Sequence, residues 1–441
     1  MSQRLARAAV ELVLRRIRAG RLVVVEGRRR KSYGPGGPTA TVVVRSPRTW
    51  QMLLRGSVGL ADSYGQGLWD TPDLVALIRL GARNGAAMDE ARRRLGPLVR
   101  PIQHTRALRR PSSRRRRRLD IAAHYDLGNE LFGRMLDPTM TYSCAVFDDP
   151  DAPLEQAQRN KLELVCQKLE LGPADRVLEV GTGWGSFALY AAASRGCHIT
   201  TTTISREQYD YVQRRVAEAG LSDRITVMSS DYRDLKGRYD MLVSIEMIEA
   251  VGWRHTGGFL ATCSRLLESD GAMLLQAITI DDRAYEVERA SRSFMKERIF
   301  PGGSLPSLAA ITDDLARHTD LQLVHLEDLT ANYVPTLRHW RERFLAHAGE
   351  LTALGYDDAF QRLWTLYLAY CEAGFAERRI CDVQVVLTKP ASRLRWLSDP
   401  TEAARAAEDQ GARPTRPMIG RDPIADDGPA ARRRRLRTGS E

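Results

Sequence analysis

The chain has 441 residues, with 66 Lys and Arg against 55 Asp and Glu, and 43% of its residues are hydrophobic. This composition is typical of a globular protein with two or three domains, and it excludes a disordered, collagenous or fibrous chain. No run approaches the roughly 18–20 apolar residues that span a bilayer, and the first residues lack the apolar core of a secretion signal. We therefore expect a cytoplasmic protein.

Cysteine and histidine usage gives no sign of a metal or disulfide site. The six cysteines are scattered without a CxxC pair, and the eight histidines show no HxxxH spacing. Structural zinc sites and disulfide frameworks depend on closely spaced ligands or paired cysteines. We therefore expect neither.

Positive charge is concentrated toward the N-terminus. Residues 1–120 contain 27 Arg and Lys and 8 Asp and Glu, a net charge of +19, so the remaining 321 residues carry −8. Clusters such as 28–31 and 114–118 attract polyanions, either nucleic acid or anionic lipid head groups, although charge runs also serve as solvated linkers. Aromatic residues are not interleaved with these arginines, which disfavours nucleic acid.

Residues 1–100 are predicted to form a small basic α+β domain, a candidate for contact with a membrane surface or lipid. The pattern predicts a helix over 6–17, strands over 22–26 and 40–44, a Gly/Pro turn over 32–38 between them, and mostly helix over 53–80. Residues 101–120 are rich in Arg and poor in large apolar residues, so we predict a linker there.

From residue 121, short apolar runs alternate with helical stretches, which predicts a parallel sheet covered by helices on both faces. The predicted strands are 176–180, 198–202, 224–228, 239–244, 272–276 and 382–387, and the predicted helices are 187–193, 206–219 and 256–267. We assign 121–390 to this domain. We predict a largely disordered basic tail over 391–441, because its Ala, Arg, Asp, Gly and Pro residues show no periodicity.

A glycine-rich turn, Glu179-Val-Gly-Thr-Gly-Trp-Gly185, follows the first of these strands. Its GxGxG spacing differs from the GxGxxG dinucleotide fingerprint, and alone it could be a packing turn without a ligand. Further polar segments at 202–208, 231–235 and 244–252 follow the next three strands, in the order that would serve a ribose, an adenine and a reacting centre. This is the layout of a methyltransferase that uses S-adenosylmethionine.

Several motifs, in the same order, make the chain resemble the cyclopropane-fatty-acyl-phospholipid synthase and mycolic acid methyltransferase family over about 124–387. These motifs are 123–132 (AHYDLGNELF), 140–144 (MTYSC), 177–185, 203–208, 231–235, 247–249 and 367–371. The resemblance implies an α/β fold, the Rossmann-like fold of class I S-adenosylmethionine-dependent methyltransferases, with a mostly parallel seven-stranded sheet. The small N-terminal α+β domain also resembles that of longer, phospholipid-acting members.

The same resemblance implies which residues contact S-adenosylmethionine. They are Tyr142, Ser143, Val177, Glu179, Gly181, Thr182, Gly183, Trp184, Gly185, Thr203, Ile204, Ser205, Gln208, Asp231 and Tyr232. One mild departure is Glu179, which stands where the family commonly has Asp.

The family reaction transfers the sulfonium methyl to a cis double bond of a fatty acyl chain, and a bound bicarbonate removes a proton from the resulting carbocation. Residues matching the bicarbonate site are Cys144, Glu249, Ile278 and Tyr333, and a family cysteine regarded as catalytic matches Cys371. An alkene cannot be activated by deprotonation, so alignment and stabilisation of positive charge, for example by aromatic faces, must supply the catalysis.

Simpler roles stay open for the same residues. Cys144 and Cys371 could be buried small apolar side chains, Glu249 could cap a helix, and Tyr333 could belong to the core. We expect no covalent role for Cys371, because methyl transfer to an alkene needs no enzyme nucleophile.

Gln276-Ala-Ile278 departs from the family pattern, because cyclopropane-forming members have His-Thr-Ile there. A glutamine donates and accepts hydrogen bonds but cannot act as a general base. Bicarbonate could still be held while the route of proton loss differs. Direct proton loss from the transferred methyl closes a cyclopropane, whereas proton loss after a hydride shift leaves a methylene branch, which a separate reductase could convert to a methyl branch.

Three functions remain open at this point: methylation of a lipid alkene, methylation of another small molecule, and nucleic-acid binding by a relict cofactor fold. We favour the first, with unsaturated phospholipid acyl chains as substrate, S-adenosylmethionine and bicarbonate as cofactors, and no nucleic-acid partner. The basic N-terminal segment would hold the enzyme peripherally on an anionic membrane. A homodimer stays open.

Overall fold

The computed structural model describes residues 2–85, 127–392 and 394–398. Its N-terminal part contains a four-stranded sheet with the strand order β2-β1-β3-β4. The elements are α1 (Gln3–Leu14), β1 (Gly20–Glu26), β2 (Arg29–Gly36), β3 (Thr39–Val44), α2 (Arg48–Leu53), α3 (Ser57–Gly65), β4 (Trp69–Asp70) and α4 (Leu74–Arg83). Strand β1 pairs antiparallel with β2 and parallel with β3.

The turn predicted over 32–38 is wrong, because most of it belongs to β2. Gly34 is required by close packing of strands: a Cβ there would lie 2.2 Å from the carbonyl oxygen of Gly20. A glycine inside a strand often marks such a close backbone approach, which the sequence pattern does not distinguish from a turn.

The second sheet has seven strands in the order β10-β11-β9-β8-β5-β6-β7. They are β5 (Arg176–Val180), β6 (His198–Thr203), β7 (Ile225–Ser229), β8 (Tyr239–Ile245), β9 (Leu267–Ile280), β10 (Gln322–Asp328) and β11 (Ile380–Thr388). All neighbouring pairs are parallel except those of β11, which runs antiparallel to β9 and β10. The chain reverses its direction of winding between β5 and β8, the place where open α/β sheets bind ligands.

Helices accompany this sheet along the chain. They are α5 (Asn129–Met135), α6 (Leu154–Lys168), α7 (Ser186–Arg195), α8 (Arg206–Glu218), α9 (Ile248–Val251), α10 (Thr256–Leu266), α11 (Asp282–Ala290), α12 (Leu308–His318), α13 (Thr330–Ala346), α14 (Ala348–Ala353) and α15 (Asp358–Ala376), with a 3₁₀ turn at Tyr232–Asp234 and a π-helical turn at Met295–Ile299. Apolar side chains of β8, β9, β11 and α10 form a buried core that includes Leu242, Phe259 and Val385. No helix among the described residues is long and apolar enough to cross a membrane.

The N-terminal sheet and its helices pack against α15. Arg79 and Arg83 of α4 form ion pairs with Glu377 at the end of α15. Arg362 donates hydrogen bonds to the carbonyl oxygens of Tyr64 and Trp69. These contacts place the N-terminal elements beside the helices that cover the larger sheet.

The chain divides into two units, Met1–Leu394 and Arg395–Glu441. The predicted linker over 101–120 lies outside the described residues. The predicted tail is described only at its beginning, where Arg395–Ser398 form a short helix, α16.

Candidate active site

A cavity of about 170 Å³, here called the strand-end cavity, lies at the carboxyl ends of β5, β6 and β8. Most of the residues expected to contact the cofactor line it: Tyr142, Ser143, Glu179, Gly181, Thr182, Gly183, Trp184, Thr203, Ile204, Gln208, Asp231 and Tyr232. The motifs that follow three separate strands therefore meet at one place, as the parallel sheet requires.

Two glycines give the turn after β5 its shape. Gly181 has a φ of +103°, and a Cβ there would lie 3.1 Å from the side chain of Met247. Gly185 has a φ of +84°, and a Cβ there would meet Val212 at 2.9 Å. Both positions need glycine because the backbone is left-handed and the space is closed.

Three predicted contacts do not line the cavity and instead support its walls. Val177 is buried inside β5, and Gly185 precedes α7. The Ser205 hydroxyl caps α8 by accepting from the backbone N–H of Gln208. Among the lining residues, Trp184 donates its indole N–H to the side chain of Asn129 at 2.7 Å.

Buried ionisable groups also surround the strand-end cavity. Burial raises the pKa of Glu179 to about 8, and its carboxyl oxygen accepts from the hydroxyl of Thr201. Lys161, which the sequence analysis missed, donates to the Ser143 hydroxyl at 2.8 Å, and burial lowers its pKa. The carboxylate of Asp231 is held by Arg233. The sequence signal that could have identified Lys161 is its position in α6, where the helical pattern places a lysine on the buried face.

A second, larger cavity of about 690 Å³, here called the apolar cavity, extends from the N-terminal elements to the larger sheet. Its N-terminal wall includes Leu22, Val24, Trp50, Leu53, Leu77 and Leu80. Its far end is formed by Glu249, Ile278, Tyr333, Tyr367 and Cys371, most of which were predicted as catalytic residues.

The two cavities meet at Tyr142, Glu246 and Ala250, which line both. The carboxylate of Glu246 accepts hydrogen bonds from the Cys144 backbone N–H at 2.8 Å, the Gln276 side-chain amide at 2.9 Å and the Tyr333 hydroxyl at 2.6 Å. Burial raises the pKa of Glu246. The three donors favour its ionised form, and a cation bound beside it would do the same.

The donors around Glu246 include three that the resemblance assigned to bicarbonate or to its neighbourhood: Cys144, Gln276 and Tyr333. Because a carboxylate of the chain already takes their hydrogen bonds, these residues do not fit a bound bicarbonate. Cys144 takes part through its backbone N–H. Its thiol donates to the carbonyl oxygens of Ala145 and Leu329, and burial raises the thiol pKa.

Strand register explains this network. Gln276 of β9 lies beside Ile245 of β8 on one side and Gln384 of β11 on the other. Its amide nitrogen therefore reaches both Glu246 and Asp382, each at 2.9 Å. Its oxygen accepts from the amide of Gln384 at 3.0 Å. The orientation of the Gln276 amide is thus fixed by its neighbours in the sheet.

Glu249 and Ile278 form a separate pair next to Glu246. The backbone N–H of Ile278 donates to Glu249 Oε1, while Glu249 Oε2 is buried and has no hydrogen-bond partner among the described residues. Burial and the nearby Glu246 raise the pKa of Glu249 to about 8. With a pKa of about 8, Glu249 is mostly protonated at pH 7. Glu246 accepts three hydrogen bonds where Glu249 accepts one, so its carboxylate is the better stabilised of the two.

Cys371 lines the apolar cavity, and burial raises the pKa of its thiol to about 12. A thiol with this pKa is not a nucleophile at neutral pH. Cys371 is therefore suited to forming an apolar wall.

Glu246 was missed by the sequence analysis, although it lies within the segment 244–252. The resemblance directed attention to Glu249, three residues later. The available signal was a second acidic residue directly after a buried strand, at the edge of the sheet where ligands bind.

A family model described as mycolic acid cyclopropane synthetase matches residues 112–385. The chain is 39% identical over 366 residues to tuberculostearic acid methyltransferase UfaA1 of Mycobacterium tuberculosis, which covers 80% of this chain and 84% of that protein. It is 36% identical over 361 residues to the cyclopropane-fatty-acyl-phospholipid synthase of Escherichia coli, which covers 80% of this chain and 89% of that protein.

Solved structures show the same relationship. Cyclopropane synthase MmaA2 from Mycobacterium tuberculosis has a TM-score of 0.58 and 31% identity, over 62% of this chain and 98% of that chain. Mycolic acid cyclopropane synthase CmaA1, complexed with SAH and CTAB, has the same TM-score and coverage with 30% identity.

The strand order, the glycine turn after β5 and these structural neighbours define a class I S-adenosylmethionine-dependent methyltransferase. Within that class, the chain belongs to the mycolic acid cyclopropane synthetase family. The fold class and the enzyme class expected from the sequence are thereby confirmed.

Proposed function

We propose that this enzyme methylates the cis double bond of an unsaturated fatty acyl chain of a phospholipid, with Glu246 as the proton acceptor. The observation that carries the proposal is the meeting of a polar strand-end cavity and a large apolar cavity at Glu246 and Tyr142. A methyl donor in the first cavity and an alkyl chain in the second would touch at this point.

The size and lining of the apolar cavity support an acyl substrate. Its volume of about 690 Å³ lies within the roughly 300–1,000 Å³ of typical ligand pockets. Its walls come largely from apolar and aromatic side chains of both the N-terminal elements and the helices around α15. A polar small molecule would leave most of this surface without a partner.

The alignment lengths separate this chain from a mycolic acid synthase, and the name of one long relative supports a phospholipid as substrate. The phospholipid synthase of E. coli aligns with 80% of this chain. Residues 112–441 make up a smaller share of the chain than that, so the alignment also includes residues before 112. Cyclopropane mycolic acid synthase 1 aligns with only 58% of this chain while covering 92% of its own length. The N-terminal segment is therefore shared with the relative whose name specifies a phospholipid.

When bound, S-adenosylmethionine supplies an electrophilic methyl group on a sulfonium cation. The residues of the strand-end cavity would hold it, with Glu179, Thr203 and Gln208 offering polar contacts beside the glycine turn. Tyr142 lies between the two cavities and packs among Phe132, Trp184 and Trp340. Its aromatic face can stabilise positive charge on the acyl chain.

Glu246 then accepts the proton. After methyl addition, one former alkene carbon bears the new methyl group and its neighbour is a carbocation. For a cyclopropane, the electron pair of a methyl C–H bond forms the ring bond to the cationic carbon as the proton leaves. For a methylene branch, the hydrogen on the methyl-bearing carbon first moves with its electron pair to the cationic carbon, and the electron pair of a methyl C–H bond then forms the double bond as the proton leaves. In both cases the proton goes to the Glu246 carboxylate.

We propose that the methylene branch is the main product. Gln276 stands where the cyclopropane-forming members have a histidine, and its amide donates to Glu246 but cannot itself take a proton, so the route of proton loss should differ from theirs. The name of the 39% identical relative, a tuberculostearic acid methyltransferase, supports methyl rather than cyclopropane chemistry. Conversion of a methylene to a methyl branch would then require a separate reductase.

Release of S-adenosylhomocysteine from detergent-dispersed dioleoyl phosphatidylglycerol tests the substrate class. We expect turnover with this lipid and none with its distearoyl counterpart, which has no double bond, or with RNA. Proton NMR of the product lipid would show vinylidene signals for a methylene branch and upfield signals for a cyclopropane. Absence of turnover with every unsaturated lipid would contradict the proposal.

A further inference from the structure

Helix α1 has two apolar faces, although a surface helix needs only one. Val10 and Leu14 on one face, with Ile17 beyond the helix end, line the apolar cavity. On a different face, Leu5, Leu12 and Val13 remain 61%, 60% and 48% exposed. Leu5 and Leu12 are seven residues apart and so lie two turns apart on the same side.

The surroundings of the exposed face are basic. Arg4 lies in the first turn of α1, and Arg15 and Arg16 follow its last turn, all of them exposed. Residues 1–50 contain twelve Arg and Lys but only two acidic residues, Glu11 and Glu26. Both carboxylates are already paired, Glu11 with Arg7 and Lys31, and Glu26 with Arg7.

We propose that the outer face of α1, formed by Leu5, Leu12 and Val13, inserts into the surface of an anionic phospholipid bilayer. An apolar strip flanked by arginines is the combination that lies in a membrane interface, because acyl chains take up the leucines and phosphates bind the guanidinium groups. This inference rests on the proposed function for its purpose, since the substrate lies in a bilayer.

The position of α1 gives the docking a consequence for catalysis. The same helix has one face toward the lipid and another lining the cavity proposed for the acyl chain. Only the thickness of α1 therefore separates the bilayer from the cavity, and an acyl chain would enter beside this helix.

The experiment compares two double variants of the full chain in sedimentation with vesicles of phosphatidylglycerol and phosphatidylcholine. L5S/L12S removes the exposed leucines of α1. L323S/L326S is the matched control, because Leu323 and Leu326 of β10 are also exposed, at 41% and 40%. We expect L5S/L12S to bind about tenfold more weakly or worse, and the control to bind like the wild type. Wild-type binding should weaken with salt and with loss of the anionic lipid.

Turnover separates docking from chemistry. L5S/L12S should lose turnover on vesicles but keep it on the same lipid dispersed in detergent. Equal vesicle binding by L5S/L12S and wild type would overturn the inference, as would a change of oligomeric state in L5S/L12S without a change in vesicle binding. Wild-type vesicle binding that depends on α1, without turnover on any unsaturated lipid, would instead contradict only the proposed function.

A single-site reporter covers the case in which L5S/L12S does not fold. L12W places a fluorescent side chain on the outer face of α1 without removing apolar surface. We expect a blue shift of the added emission on mixing with anionic vesicles, and quenching by lipids brominated on their acyl chains. An unchanged spectrum would overturn the inference.

Discussion

Replacement of Glu246 gives the sharpest test of the proposed chemistry, because two substitutions at this position should behave differently. Glu246→Gln keeps the shape of the side chain and fills the same space, but an amide does not accept a proton at neutral pH. Glu246→Gly empties the space and leaves the N–H of Cys144, the amide of Gln276 and the hydroxyl of Tyr333 facing the cavities. The backbone tolerates glycine there, because Glu246 has a φ of +48°.

The expected loss follows from the role of a general base. A positioned base typically contributes about 10²–10⁴-fold to the rate, so both variants should lose on that order of turnover. Each donor left without a partner costs about 1–3 kcal/mol, so the emptied site of Glu246→Gly should bind a small carboxylate. Formate should therefore restore part of its turnover, whereas Glu246→Gln, whose site is filled, should not respond.

The assay is S-adenosylhomocysteine release from dispersed unsaturated phospholipid, with binding of S-adenosylmethionine measured by calorimetry as the control for an intact site. Bicarbonate should also rescue Glu246→Gly, and removal of dissolved carbon dioxide should leave the wild type unchanged. Wild-type turnover in Glu246→Gln would refute the role of Glu246. So would a wild-type enzyme that depends on added bicarbonate.

Three further predictions follow from the same site. Between about pH 4.5 and pH 8, Glu249 keeps its proton in the folded protein but loses it in the unfolded chain. The free energy of unfolding of the wild type should therefore fall as pH rises, by at most about 1.4 kcal/mol per pH unit from this group. In urea unfolding, the stability of Glu249→Gln relative to the wild type should be higher at pH 8 than at pH 5, and a constant difference would contradict the raised pKa. Gln276→His should change the ratio of methylene to cyclopropane product, or the rate, without changing the affinity for S-adenosylmethionine. The reason is that an imidazole cannot reproduce both amide hydrogen bonds, to Glu246 and to Asp382. Identical lipid profiles by gas chromatography would count against this prediction. Cys371→Ala should keep most of the turnover, since a thiol with a pKa of about 12 is protonated at neutral pH, and complete loss of activity in a folded variant would assign Cys371 a chemical role.

Strands with two buried faces were the easiest elements to predict. The strands β5, β6 and β8 were located to within one residue at each end, because a central parallel strand is a short apolar run between helical stretches. Strand β7 lies at an edge of the sheet but was located as closely, since its run Ile-Thr-Val-Met also lies between helical stretches. Strand β10 was missed because it has no buried apolar run: Leu323 and Leu326 are exposed, and His325 and the acidic residues at its end interrupt the apolar pattern. The N-terminal elements contact α15 through ion pairs and apolar side chains about 300 residues apart in the chain, and no local pattern contains such contacts.

The cofactor site could be predicted because each of its motifs directly follows a strand, and parallel strands bring their carboxyl ends together. The site around Glu246 has a different origin. Its donors come from the loop before α6, from β9 and from α13, and their meeting depends on the pairing of Gln276 with Ile245 in the sheet.

Two glutamates three residues apart, Glu246 and Glu249, therefore look equivalent in the sequence but differ in the folded protein. Glu246 adopts a left-handed backbone that is uncommon for a residue with a side chain, and such a conformation persists only where the surroundings hold it. Three hydrogen-bond donors hold its carboxylate at the junction of the two cavities. Glu249 receives one backbone hydrogen bond and retains its proton. We therefore expect the number of donors that each carboxylate meets, rather than its place in a motif, to decide which of the two takes a proton from the substrate.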